Sequence, residues 1–242
     1  MILENKVVLI SGANGGIGEK IVQEFLDEKV AKIYACARNV DSLKEVCKLD
    51  PNKVIAKRLD ITDISSITKL VKECDDVNVL VNNAGVNYGK GIFSGNSIDF
   101  ARSEMEVNYF GTFNMSTLFS ETLKRNGGAI VNVCSLLSFV CMPANATYCA
   151  SKAALFSFTQ ALKGELAPYN INVLGVFPGP VDTSMTAGLD VEKITPTEVA
   201  REIVVGLKND SYKVLPGEES KETYKNLIDN YEDVEDAFSK II

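Results

Sequence analysis

Six short runs rich in apolar and β-branched residues recur along the chain: KVVLIS (6–11), AKIYACA (31–37), KVIAKRL (53–59), VNVLVN (77–82), GAIVNVCS (128–135) and INVLGVF (171–177). Between them lie stretches of helical spacing, among them IGEKIVQEFLDEK, SLKEVCKL, SSITKLVKEC, a long segment near 97–125 and YCASKAALFSFTQALKGELAP. Runs that are apolar throughout suit strands covered on both faces. Parallel strands need long crossover connections, and right-handed crossovers lay helices on both sides of one sheet. The pattern predicts an α/β fold with a doubly wound parallel sheet in three αβα layers. No Pro/Gly/Ser-rich linker, repeat or low-complexity tract divides it, so a single domain over 1–242 is expected.

After 177 the rhythm changes. PGPVDTSMTAGLDVEKI (178–194) is rich in turn residues and suits a substrate flap at about 184–194. Thr195, Pro196 and Glu198 read as N-cap, first helical residue and capping-box partner of a following helix. YKVLPG (212–217) suits an edge strand. Tyr224, Leu227, Tyr231, Val234, Phe238 and Ile241 recur every three or four residues, which predicts the stripe of one amphipathic helix in an extension over about 218–242.

Composition removes several functions. A net charge of −7 disfavours nucleic acid and anionic membranes as partners. The start MILENKVVLI has no basic stretch ahead of an apolar one, and no run reaches membrane-spanning length, so a cytoplasmic protein is expected. The six cysteines form no Cys-x-x-Cys pair and there is no histidine, so no metal is expected. Cys149 follows Tyr148 and invites a redox reading, but a helical neighbour projects about 100° away, which favours a packing role. The lack of histidine also removes the usual proton carrier near neutral pH.

The first strand runs into SGANGGIG (11–18), whose Gly12, Gly16 and Gly18 precede a helix. Glycine lets the backbone approach a phosphate, and a helix start offers free N–H groups to it. Directly after the first strand of a βαβ array, this predicts a Rossmann dinucleotide site. NAD-preferring sites end the second strand on Asp or Glu; here Ala37 holds that position and Arg38 follows, which favours NADP(H) over NAD(H). Asn14 and Asn39 are further candidate contacts.

Tyr148 and Lys152 stand one helical turn apart, on one face. NNAG (82–85), Ser135 thirteen residues before Tyr148, YCASK (148–152) and PGPVDT (178–183) complete the series. Together with the Gly-x-x-x-Gly-x-Gly loop, these motifs resemble the short-chain dehydrogenase/reductase family in its compact single-domain branch, over at least residues 5–208. The resemblance implies hydride transfer between nicotinamide and a ketone or secondary alcohol. It makes Tyr148 the acid/base, Ser135 the holder of the carbonyl oxygen, and Lys152 the partner of the tyrosine and of the nicotinamide ribose. A free tyrosine has a pKa of about 10. The Lys152 ammonium, with an oxidised nicotinamide, is expected to lower it. Asn108 in EVNYFGTF (106–113) matches a fourth member, holding a water that relays protons from Lys152. The resemblance also implies Ile17 and Gly18 at the pyrophosphate, Asp60 and Ile61 at the adenine, Asn82, Ala84 and Gly85 along the adenosine, and Pro178, Gly179, Val181 and Thr183 at the nicotinamide. Without the family, Asp60 reads as a helix-cap carboxylate.

Two departures stand out. Ser11 replaces the usual threonine of the loop but keeps the hydroxyl. An acidic helix replaces the DGG-type ending of many tetrameric members, which counts against a fatty-acid ketoreductase and the usual tetramer. Homodimer and homotetramer both stay open, with association through helices at 97–125 and 149–167. Val86, Tyr88, Leu136, Leu137, Val140, Met142 and Met185 are candidates for the wall of a small, neutral or apolar substrate. A non-catalytic NADP-binding regulator of the same fold is the main alternative, but all four reacting positions are intact. An epimerase or dehydratase calls for the other glycine spacing and a larger C-terminal region.

Overall fold

The computed structural model describes residues 1–241. Among them the expected runs form β1 (Val7–Ser11), β2 (Lys32–Ala37), β3 (Val54–Arg58), β4 (Val79–Asn82), β5 (Ala129–Val133) and β6 (Asn172–Val176), with the short edge strand β7 (Lys213–Val214). All pair in parallel in one sheet of order β3-β2-β1-β4-β5-β6-β7. The connecting helices are α1 (Gly16–Asp27), α2 (Lys44–Cys47), α3 (Ile64–Glu73), α4 (Ser97–Glu104), α5 (Thr112–Asn126), α6 (Ala146–Leu166) and α7 (Pro196–Lys208). Thr195 caps α7 as expected, exchanging hydrogen bonds with Glu198.

Successive strand residues point to opposite faces, so the sheet feeds two cores. Val8, Ile10, Ile33, Val79, Val131 and Leu174 pack with Ile21 and Phe25 of α1 and Ile203 of α7. Leu9, Leu80, Ile130 and Val173 pack with Ile67 of α3, Phe119 of α5 and Leu162 of α6. The order reverses between β1 and β4. Crossovers depart there to opposite sides and open a crevice beyond the carboxyl ends of those two strands, the usual ligand position of such sheets.

The long segment near 97–125 is one bent rod. Between α4 and α5, Met105–Gly111 winds as a π-helix. A Cβ on Gly111 would lie 2.6 Å from the Ile61 side chain, so the rod packs this closely only with glycine there.

The C-terminal stripe departs from the sequence expectation. It is split into α8 (Glu218–Asp229) and α9 (Tyr231–Ser239), because Asn230 leaves helical geometry at φ −154°, ψ 76°. Leu227 is buried, Val234 and Phe238 are half-buried, and Tyr231 is exposed, so the six positions do not make one continuous face.

Candidate active site

The glycine loop is held by the end of β4. The Ser11 hydroxyl accepts N–H groups from Asn83 at 3.0 Å and Ala84 at 3.1 Å, and donates to the Val81 carbonyl at 3.3 Å. The Asn83 amide donates to the carbonyls of Ser11 at 3.1 Å and Gly12 at 2.9 Å. Gly12 sits at φ +64°, and a Cβ there would meet the Ala84 Cα at 2.9 Å. A Cβ on Gly18 would lie 2.1 Å from the Gly12 carbonyl oxygen. Helix α1 starts at Gly15 with no side-chain cap. Its first N–H groups are therefore left for something else, and an anion suits them.

Across the crevice, β5 delivers Ser135 and α6 delivers Tyr148 and Lys152. Lys152 is 5% exposed; its ammonium donates to the Val133 carbonyl at 2.8 Å and lies 5.6 Å from the centre of the Tyr148 ring. Burial lowers the lysine pKa to about 8. Tyr148 is half-buried; in the protein alone desolvation raises the phenol pKa, and the Ser135 hydroxyl beside it offsets only part of this. The reason is geometric. The Lys152 ammonium donates to Val133, lies 5.6 Å from the centre of the ring, and makes no hydrogen bond to the phenol oxygen. The result is a neutral tyrosine. Ser135 is itself fixed, its Oγ accepting the Leu137 N–H at 3.1 Å and its own N–H donating to Ser138 Oγ at 3.2 Å.

Asn108 occupies the π-helix and is buried. Its amide donates to the Val86 carbonyl and to Ser151 Oγ, both at 2.9 Å, and its Oδ1 accepts the Val86 N–H at 2.8 Å. This pins the loop after β4 to α6. Gly85 fits beneath, where a Cβ would lie 3.1 Å from Asn108 Oδ1 and 3.7 Å from Lys152 Nζ.

A serine, a tyrosine and a buried lysine lie together beside a crevice that also holds a glycine-rich helix start. The family model for short chain dehydrogenase matches residues 6–193. The chain belongs to the short-chain dehydrogenase/reductase family. It is 30% identical over 222 residues to an uncharacterised oxidoreductase of Staphylococcus saprophyticus, covering 87% of this chain and 94% of that one. It is 32% identical over 208 residues to an NAD-dependent glycerol dehydrogenase of Listeria innocua, covering 80% of each. A crystal structure of a short-chain dehydrogenase from Burkholderia cenocepacia in complex with NADP superposes with TM-score 0.93 at 34% identity, covering 98% and 99% of the two chains.

Other residues that the family resemblance brings forward turn out to serve several ends. Arg38 is exposed just past the tip of β2, and Arg58, also exposed and not anticipated from the sequence, stands opposite Ala37 at the end of β3. Asn14 is exposed on the loop and Ile17 half-buried below it. The Asn39 side chain caps the turn after β2 by accepting the Asp41 N–H. Asp60 accepts from the N–H and hydroxyl of Thr62, at 3.0 and 2.7 Å, while Asp63 caps α3. Ile61 is buried against Gly111. Asn82 donates to Ser116 Oγ and Asn132 Oδ1 inside the core, so its side chain stays within the protein. A Cβ on Gly16 would lie 3.2 Å from the Thr183 methyl. The Gly179 N–H donates to Ser220 Oγ of α8 at 2.8 Å, Pro178 accepts from Leu136, and Val181 bridges to Ile194. Of the expected wall, Leu136 and Val140 are core, Val86, Leu137 and Met142 are half-buried, and Tyr88 and Met185 are exposed. Among the described residues no cluster of three or more His, Cys, Asp or Glu could hold a metal, and no helix is long and apolar enough to cross a membrane.

Proposed function

We propose that this short-chain dehydrogenase/reductase moves a hydride between NADP(H) and a ketone or secondary alcohol, with Tyr148 as acid and base. The observation that carries this reading is the buried Lys152 ammonium, fixed on Val133 beneath the Tyr148 ring. A dinucleotide fits the residues present: Gly12 and Gly18 tolerate no Cβ, α1 starts uncapped, and Arg38 and Arg58 flank a strand end without a carboxylate. When bound, nicotinamide supplies the hydride to the substrate carbon or takes it back. Tyr148 gives its proton to the carbonyl oxygen, which the Ser135 hydroxyl also holds. Lys152 stabilises the phenolate left behind. Because both amide hydrogens of Asn108 are spent, a relay water falls to its backbone carbonyl instead. The half-buried Val86, Leu137 and Met142 support a neutral or apolar substrate.

NAD(H) is the second reading, favoured by the similarity to the NAD-dependent glycerol dehydrogenase of Listeria innocua. The reaction itself is tested by Tyr148→Phe, which removes one hydroxyl. General acid catalysis is worth about 10²–10⁴-fold, so turnover of a panel of ketones should fall by that factor while NADPH still binds, as followed by its fluorescence. A variant that keeps most of its turnover would sink the mechanism.

A further inference from the structure

Cys141 precedes the turn that leads into α6, and Cys149 lies in the first turn of that helix. The Cys149 sulfur accepts the Met142 N–H at 3.5 Å and lies 3.9 Å from the Met142 carbonyl oxygen. Since the Met142 nitrogen is bonded to the carbonyl carbon of Cys141, the Cys141 Cα falls within about 6 Å of that sulfur. The two cysteine side chains are neighbours. Cys141 is exposed and Cys149 is buried, so one sulfur meets solvent and the other waits behind it. The remaining cysteines lack this arrangement. Cys36 and Cys74 lie close together, but both are buried; Cys134 is buried and Cys47 half-buried.

We propose that Cys141 and Cys149 form a disulfide modification site, oxidised by a hydroperoxide and restored by a dithiol. In the first step the Cys141 thiolate attacks hydrogen peroxide; an S–O bond forms, the O–O bond breaks, and hydroxide leaves and takes a proton to become water. In the second, the Cys149 sulfur attacks the sulfenic acid on Cys141; the S–S bond forms, the S–O bond breaks, and the leaving hydroxyl departs as water with the Cys149 proton. The pair loses two electrons and the peroxide gains them. Burial pushes the Cys149 thiol up to about 12, which leaves the exposed Cys141 to react first. The ring so closed runs from 141 to 149 and contains Tyr148, so the oxidised form ties the loop after Ser135 to the first turn of α6.

The site is tested on thiols and not on turnover, so its failure is separate from that of the proposed reaction. The native protein is treated with hydrogen peroxide, then unfolded in denaturant with N-ethylmaleimide to block every remaining free thiol, and peptides are mapped by mass. Expected is an intramolecular 141–149 cross-link that appears as both thiols vanish together and that dithiothreitol reverses. Cys141→Ser should keep Cys149 alkylatable, and Cys149→Ala should leave Cys141 as a sulfenic acid captured by dimedone. Cys141 passing to sulfinic acid while Cys149 remains free, a Cys141 cross-link between two copies, or a Cys36–Cys74 bond forming first would each overturn the proposal.

Discussion

A lysine kept inside a protein without a carboxylate carries a measurable signature. Lys152 has a pKa of about 8 in the fold against the usual 10.5. Below about 8 both states hold the proton and the folded state bears the full desolvation cost. Between about 8 and 10.5 the unfolded chain binds more protons than the folded one, so stability rises with pH across that window. Urea unfolding at pH 7.5 and 9.5 should therefore show the wild type gaining stability where Lys152→Met does not. The raised Tyr148 pKa acts with the opposite sign, and only above the unfolded tyrosine pKa of about 10. At the other end of the crevice, Arg38→Ala should weaken NADPH by about 10–100-fold, the worth of a charged hydrogen bond, and leave NADH nearly unchanged. Equal losses for both nucleotides would remove the basis for preferring NADP(H). Arg38 was legible because a strand end and its next residue are adjacent in sequence. Arg58 was not, because only the register of β3 brings it to Ala37.

At the scale of elements, α8 holds the loop after β6 through one hydrogen bond. Ser220 is buried and accepts the Gly179 N–H. Ser220→Ala leaves that donor without its partner, at a cost of about 1–3 kcal/mol. The expected result is a lower Tm with weaker NADPH binding. A lower Tm with unchanged nucleotide affinity would show that α8 braces the fold and not the loop. The α7 cap was readable because Thr195 and Glu198 are local partners. The break at Asn230 was not: the apolar spacing continues through it, and only packing decides where a weak polar helix stops. The π-helix around Asn108 was also invisible in the spacing. It is set by Val86, Ser151 and Ile61, which arrive from other parts of the chain.

For the whole molecule, stability rests on two cores divided by one sheet. Phe119 is fully buried in the core shared by α3, α5 and α6. Phe119→Ala should cost about 3–5 kcal/mol in chemical denaturation, a large part of a typical domain's total. A loss below about 1 kcal/mol would mean that core collapses around the gap. The sequence by itself determined the alternation of strands and helices, the parallel sheet, the glycine loop and the shared face of Tyr148 and Lys152. These follow from periodicity and from contacts within one turn. Only the tertiary structure decided which oxygen Lys152 holds, that burial raises the phenol pKa, that Asn108 is spent on Val86 and Ser151, and that Arg58 stands opposite Ala37. Each of those depends on a partner tens of residues away or on burial from every side, and neither is written in local spacing.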